Sequence, residues 1–205
     1  MRKIKKSLQA AGLRTVYDYV DKDPRARLPQ VVSLLEKFVP AGSDMDGVIR
    51  GIKEGLADPD NNWNRFVLSL WDDIDAGARR ALFENFVLNG SFLQSERNDE
   101  LRRKYNCNIP CWAAEYGNRL NLSYAELEDI LRQGKELGIH FYLFSGGEPL
   151  VRKADILRLC QAHPDCEFSA FTNGTLIDEA FADEMLRVKN FLPAISVEGF
   201  EEATD

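Results

Sequence analysis

The residues best placed to do chemistry end a short apolar run. Residues 139–144 carry Ile139, Phe141, Tyr142, Leu143 and Phe144, and after Ser145 comes the tetrapeptide Gly146-Gly147-Glu148-Pro149. Such a run, stopped by glycines, an acid and a proline, predicts a buried strand that delivers a polar turn. The glycines carry no Cβ and let the backbone approach a bound group closely. Glu148 puts one carboxylate at the strand's exit, and Pro149 fixes the direction of departure. Strand ends of this kind are where α/β proteins hold ligands. A second candidate is the pair Cys107 and Cys111, spaced C-x3-C. In a reducing compartment two such thiols hold a metal or cluster or are unrelated neighbours, and spacing alone leaves both open. Cys160 shares an apolar set with Ile156, Leu157 and Leu159, and Cys166 sits just before a strand, so core packing is expected for both.

Two kinds of pattern position these residues. Up to about residue 104 every periodic segment is helical. Residues 25–38 place Leu28, Val31, Val32, Leu34, Leu35 and Phe38 on one broad face. A second helix carries Val48, Ile49, Ile52 and Leu56, and residues 64–71, 78–88 and 92–105 supply three more. The aromatic residues Trp63, Phe66, Trp71, Phe83 and Phe86 have helical spacing, so a core role is expected. From Ser123 strands and helices alternate. Ser123 and Glu126 form a capping-box signature for a helix that Gly138 ends. There follow a strand at 139–144, a helix at 154–162, a strand at 167–171, a helix at 178–188 and a strand at 191–197. Strands separated by helices of this length predict parallel crossovers.

Each strand ends in a polar cluster: Ser145 to Glu148, then Thr172-Asn173-Gly174-Thr175, then Ser196-Val197-Glu198-Gly199. Asn-Gly is ordinary turn punctuation when taken singly. In a parallel sheet, however, all three clusters share one edge and converge on a single site.

The totals restrict the partners. The chain has 205 residues, 44% hydrophobic and 29% charged, enough to bury a core. With 26 basic residues against 33 acidic ones the net charge is -7, which argues against nucleic acid as the main partner. The basic N-terminus is not followed by an apolar signal core, and no run approaches the roughly 18 apolar residues of a membrane span. A cytoplasmic protein without a membrane partner is expected.

With a cysteine motif upstream of the Gly146-Gly147-Glu148-Pro149 turn, residues 107–205 resemble the radical S-adenosylmethionine (radical SAM) superfamily. The resemblance implies an α/β fold in which a helical region, residues 1–106, precedes part of a (β/α)6 partial barrel of parallel strands, residues 107–205. It implies a 4Fe–4S cluster held by a C-x3-C-x2-C loop after the first strand. S-adenosylmethionine occupies the fourth iron, and an external electron donor reduces the cluster. It further implies that Gly146, Gly147, Glu148 and Pro149 serve the methionine end of that cofactor. Thr172, Asn173, Ser196 and Glu198 are then candidates for its carboxylate and sugar, and Cys107 and Cys111 for the iron. The implied reaction is reductive cleavage to a 5′-deoxyadenosyl radical that abstracts hydrogen from a substrate the residues do not name.

The cysteine motif departs from the family's. Read from Cys107, the third ligand position falls on Ala114. Read backwards from Cys111-Trp112-Ala113-Ala114-Glu115-Tyr116-Gly117, Cys111 is the family's last cysteine, followed by its exit loop. The stretch before it is charged, where the family has a hydrophobic strand. An internally deleted or fragmentary member, lacking a first strand and two cysteines near Pro110 and Cys111, accounts for both departures. A non-catalytic remnant or interaction module is the alternative, and a zinc protein using Cys107 and Cys111 ranks behind it.

Overall fold

The computed structural model describes residues 2–39, 44–94, 100, 114–116, 122–197 and 199. They fall into two compact units, residues 1–76 and 77–205.

The first unit is helical: α1 (Arg2–Asp21), α2 (Pro24–Glu36), α3 (Asp44–Ala57) and α4 (Asn62–Asp72). Local chemistry sets its boundaries. The Asp23 side chain accepts from the Ala26 N–H ahead of Pro24, a residue whose missing N–H costs nothing at a helix start. Asn61 does the same for α4, accepting from the N–H groups of Trp63 and Asn64. Ala10, Val20, Val32 and Ile49 are buried, whereas Trp63 and Phe66 stay 74% and 57% exposed. These two aromatics pack edge to face with each other, so the expected core role fails for them. A unit this small has too little interior to cover every apolar residue its helices present.

The second unit opens with α5 (Ala76–Leu82), which widens into a π-helix over Phe83–Leu93. The sequence pattern predicts an α-helix across residues 78–88, so the wider turn is a departure. It brings Phe86 edge to face with Phe141 at 5.1 Å and lets Asn85 donate to the carbonyls of Pro164 and Cys166.

Then come β1 (Ala114–Tyr116), α6 (Tyr124–Glu136), β2 (Phe141–Gly146), α7 (Lys153–Ala162), β3 (Glu167–Thr172), α8 (Glu179–Val188) and β4 (Phe191–Ile195). All neighbouring strands are parallel, in the order β1-β2-β3-β4, which is the α/β architecture expected from the alternation. The capping box forms as expected: Glu126 N–H donates to Ser123 Oγ, and Ser123 N–H to the Glu126 carboxylate. β2 begins at Phe141, two residues later than the apolar run suggests. Ile139 N–H first closes the end of α6 on the Gly134 carbonyl, with Gly138 at φ 88°.

The edge strand β1 lies after Cys111, in the stretch read from sequence as an exit loop. The open side of β2 presents backbone donors and acceptors that need partners, and Ala114, Glu115 and Tyr116 supply them in register with Phe144, Ser145 and Gly146. Behind the sheet, Tyr142, Phe144 and Phe168 stack at 5.7 and 6.0 Å and join Leu127, Leu131, Ile156 and Leu159 in one buried cluster. Cys160 and Cys166 are buried free thiols, as expected.

Candidate functional site

The parallel order puts the ends of β2, β3 and β4 on one edge, and hydrogen bonds there are dense. β2 leaves the sheet at Gly146, whose φ of 112° lies in a region open to glycine but strained for other residues. A Gly146→Ala substitution is expected to lower stability by about 1–3 kcal/mol in urea unfolding, as the usual cost of a disallowed dihedral. Gly146 and Gly147 are exposed, and Pro149 is buried at the head of a 3₁₀ turn, Pro149–Arg152.

Glu148 connects the strands. Its Oε1 accepts from the Leu150 N–H at 3.0 Å, capping the 3₁₀ turn, and from the Thr172 hydroxyl at 2.7 Å. Its Oε2 accepts from the Asn173 N–H at 3.0 Å. Burial pushes the Glu148 carboxyl up, but these three donors outweigh it and hold its pKa below the ordinary carboxylate value. Each carboxylate oxygen has two acceptor positions, so three donors leave one position on Oε2 for a bound group.

The β3 end is ordered in the same way. Thr172 is buried, and its hydroxyl also accepts from the Gly174 N–H at 3.1 Å. The Asn173 side chain accepts from Thr175 N–H and Oγ1, which folds the turn over itself. Gly174 has φ 78°, and a Cβ there would press on Ile195 at 3.2 Å. β4 joins through the Ser196 N–H, which donates to the Thr172 carbonyl at 2.8 Å. Lys153, which no sequence motif singles out, ties the loops after β2 and β3 a second time, donating to the Leu176 carbonyl and to Asp178. The half of that contact legible in the sequence is Asp178, a helix N-cap just before α8.

The candidates Gly146, Gly147, Glu148, Pro149, Thr172 and Asn173 therefore share one edge, and Ser196 reaches it through the backbone. Glu198, Cys107 and Cys111 lie outside the described residues.

Residues 106–205 match the family model described as the radical SAM superfamily. This stretch belongs to the radical SAM superfamily. An uncharacterized protein of Archaeoglobus fulgidus is 35% identical to the chain over 100 residues, which cover 48% of this chain and 23% of that protein. The chain thus spans less than a quarter of that curated relative's length. No solved structure matches. The radical SAM stretch contains the whole strand-end site, from Gly146 to Ser196. Among the described residues no helix is long and apolar enough to cross a membrane.

Proposed function

We propose that the edge formed by β2, β3 and β4 is the S-adenosylmethionine-binding side of a radical SAM partial barrel, residues 107–205, with residues 1–106 as a separate helical region. The observation that carries this reading is Glu148, stapled across two strand ends with one acceptor position left on Oε2. That position suits the ammonium of a methionine moiety, a charge-assisted hydrogen bond that orients the cofactor's amino-acid end. The bare backbone at Gly146 and Gly147 leaves room for the same end. Thr172, Asn173, Ser196 and Glu198 are the neighbouring candidates for its carboxylate and sugar.

The iron-holding half does not fit a 4Fe–4S cluster. Such a cluster needs thiolates at three irons even when another group takes the fourth. The chain has four cysteines. Cys160 and Cys166 are buried, and Cys166 immediately precedes β3 at the edge of the sheet away from Glu148, so Cys107 and Cys111 are left alone. Formation of a 5′-deoxyadenosyl radical, and any need for an external electron donor, is accordingly impaired in this chain. A remnant or interaction module is the second reading, favoured by the exposed Phe38, Trp63 and Phe66 of the helical unit.

Equilibrium dialysis against labelled S-adenosylmethionine tests the first reading, and saturable binding near one per chain is expected. Anaerobic treatment with iron and sulfide should yield neither a stable cluster absorbance nor 5′-deoxyadenosine under reduction. Absence of saturable binding would remove the proposal. Appearance of both cluster signals would mean that the cysteines present do suffice to hold a cluster.

A further inference from the structure

At the opposite edge of the same sheet, three potential metal ligands meet in a place that the strand-end site does not use. His140 precedes β2, and Asp165 and Cys166 precede β3. One ligand atom from each lies within 4.8 Å of the others. His140 Nδ1 is 4.0 Å from Cys166 Sγ and 3.8 Å from Asp165 Oδ2. The six residues of β2 separate this cluster from the Gly146 end, roughly 20 Å at the usual rise.

The surroundings hold the three groups in place. Lys135 Nζ grips Asp165 Oδ1 at 2.7 Å and leaves Oδ2 as the oxygen turned toward the imidazole. This is the arrangement in which an outer partner orients a ligating carboxylate. The Cys166 thiol is fully buried, whereas the Asp165 side chain is 43% exposed and gives an ion a way in. The Cys166 carbonyl is fixed by the amides of Asn85 and Asn190, so the thiol's backbone is anchored from both sides.

We propose that His140, Asp165 and Cys166 form a binding site for a zinc-type divalent ion, with water as the fourth ligand. A thiolate, an imidazole and a carboxylate suit zinc chemistry, whereas magnesium and calcium prefer oxygen-only sets. Ligand atoms about 2.0–2.3 Å from a tetrahedral zinc are about 3.5 Å apart, so closing the site needs shifts of around an ångström or less. Two changes accompany binding. Cys166 releases its thiol proton, because a coordinated thiol is deprotonated outright. His140 Nδ1 gives up its 3.0 Å contact with the Asp165 carbonyl and faces the ion as a neutral acceptor. With the thiolate and carboxylate each at one negative charge, the ion is neutralised locally. The bound ion would pin the turn before β3 to the start of β2.

The test uses the full chain with Cys107→Ser and Cys111→Ser, so that the motif thiols cannot bind metal. This protein is stripped with chelator and titrated with Zn²⁺ against a chromophoric competitor, and with Co²⁺ to read thiolate coordination. One ion per chain with a tetrahedral thiolate spectrum is expected. Adding Cys166→Ser or His140→Gln should weaken binding at least tenfold, and adding Cys160→Ala should leave it unchanged. Since Cys166 is buried and its variant can misfold, His140→Gln with an intact circular dichroism spectrum decides the matter. No binding in the Cys107→Ser/Cys111→Ser protein, or binding unaffected by His140→Gln, overturns the proposal.

Discussion

Replacing Glu167 by glutamine is expected to stabilise the sheet unit by about 3–5 kcal/mol near pH 8.5 and to change it little near pH 5. Glu167 opens β3 and is fully buried, and neither carboxylate oxygen has a hydrogen-bond partner among the described residues. Burial pushes its carboxyl up from 4.5 to about 8, and the nearby Asn85 side chain offsets only part of this. Asn85 has little to offer, because its amide hydrogens already serve the carbonyls of Pro164 and Cys166. The sign follows from the direction of the shift. The folded pKa lies above the unfolded one, so the stability associated with the protonated group is complete below about 4.5 and is lost as pH rises through about 8. The difference of 3.5 units between those two values, at about 1.4 kcal/mol each, sets the upper end of the range. Urea unfolding of both proteins across this window measures it. Other carboxylates, such as Asp165 and Glu148, are shifted downward and contribute in the opposite direction, so the informative quantity is wild type minus variant. Parallel pH profiles for the two proteins would mean that Glu167 is solvated or paired in solution.

Glu167 also marks a limit of what the sequence discloses. Its position at the start of a strand was legible, because the run of residues 167–171 alternates with helical segments on either side. Its burial was not, because that depends on Asn85 and the π-helix arriving from about 80 residues upstream. A period of 3.6 cannot be told from a slightly wider turn by the placing of Phe83, Phe86 and Leu88. The strand-end site was more accessible to reading. Gly146, Glu148, Thr172 and Asn173 were recognisable because parallel topology sends every strand terminus to one edge, and that topology follows from local alternation. What alternation could not give was the direct bond from Thr172 and Asn173 to Glu148, which depends on how the chain leaves β2 after Gly146. The helical unit shows the converse error. Trp63 and Phe66 have core spacing, but spacing states only which residues share a face and says nothing of whether another element covers that face.

Substituting Glu148 by alanine is expected to lower stability by about 2–4 kcal/mol and to weaken S-adenosylmethionine binding by ten- to a hundredfold. The stability loss has a direct origin: the Leu150 N–H, the buried Thr172 hydroxyl and the Asn173 N–H all lose their acceptor. Asn173 is exposed, so water recovers part of its share, which keeps the total below three full penalties. The binding loss has a separate origin in the missing charge opposite the methionine ammonium. Thr172→Val separates the two, since it removes one donor from the staple and leaves the carboxylate in place. It should cost about 1–2 kcal/mol in stability while binding falls only a few-fold. Equal loss of binding in both variants would make Glu148 a positioning residue whose charge the cofactor does not use. The pH dependence provides an independent check. The folded pKa of Glu148 lies below its unfolded value of 4.5, so its contribution is present above that value and disappears as pH falls through the folded one. Binding in the wild-type chain should therefore be flat across neutral pH and collapse only on acidification, and the alanine variant should lack that collapse.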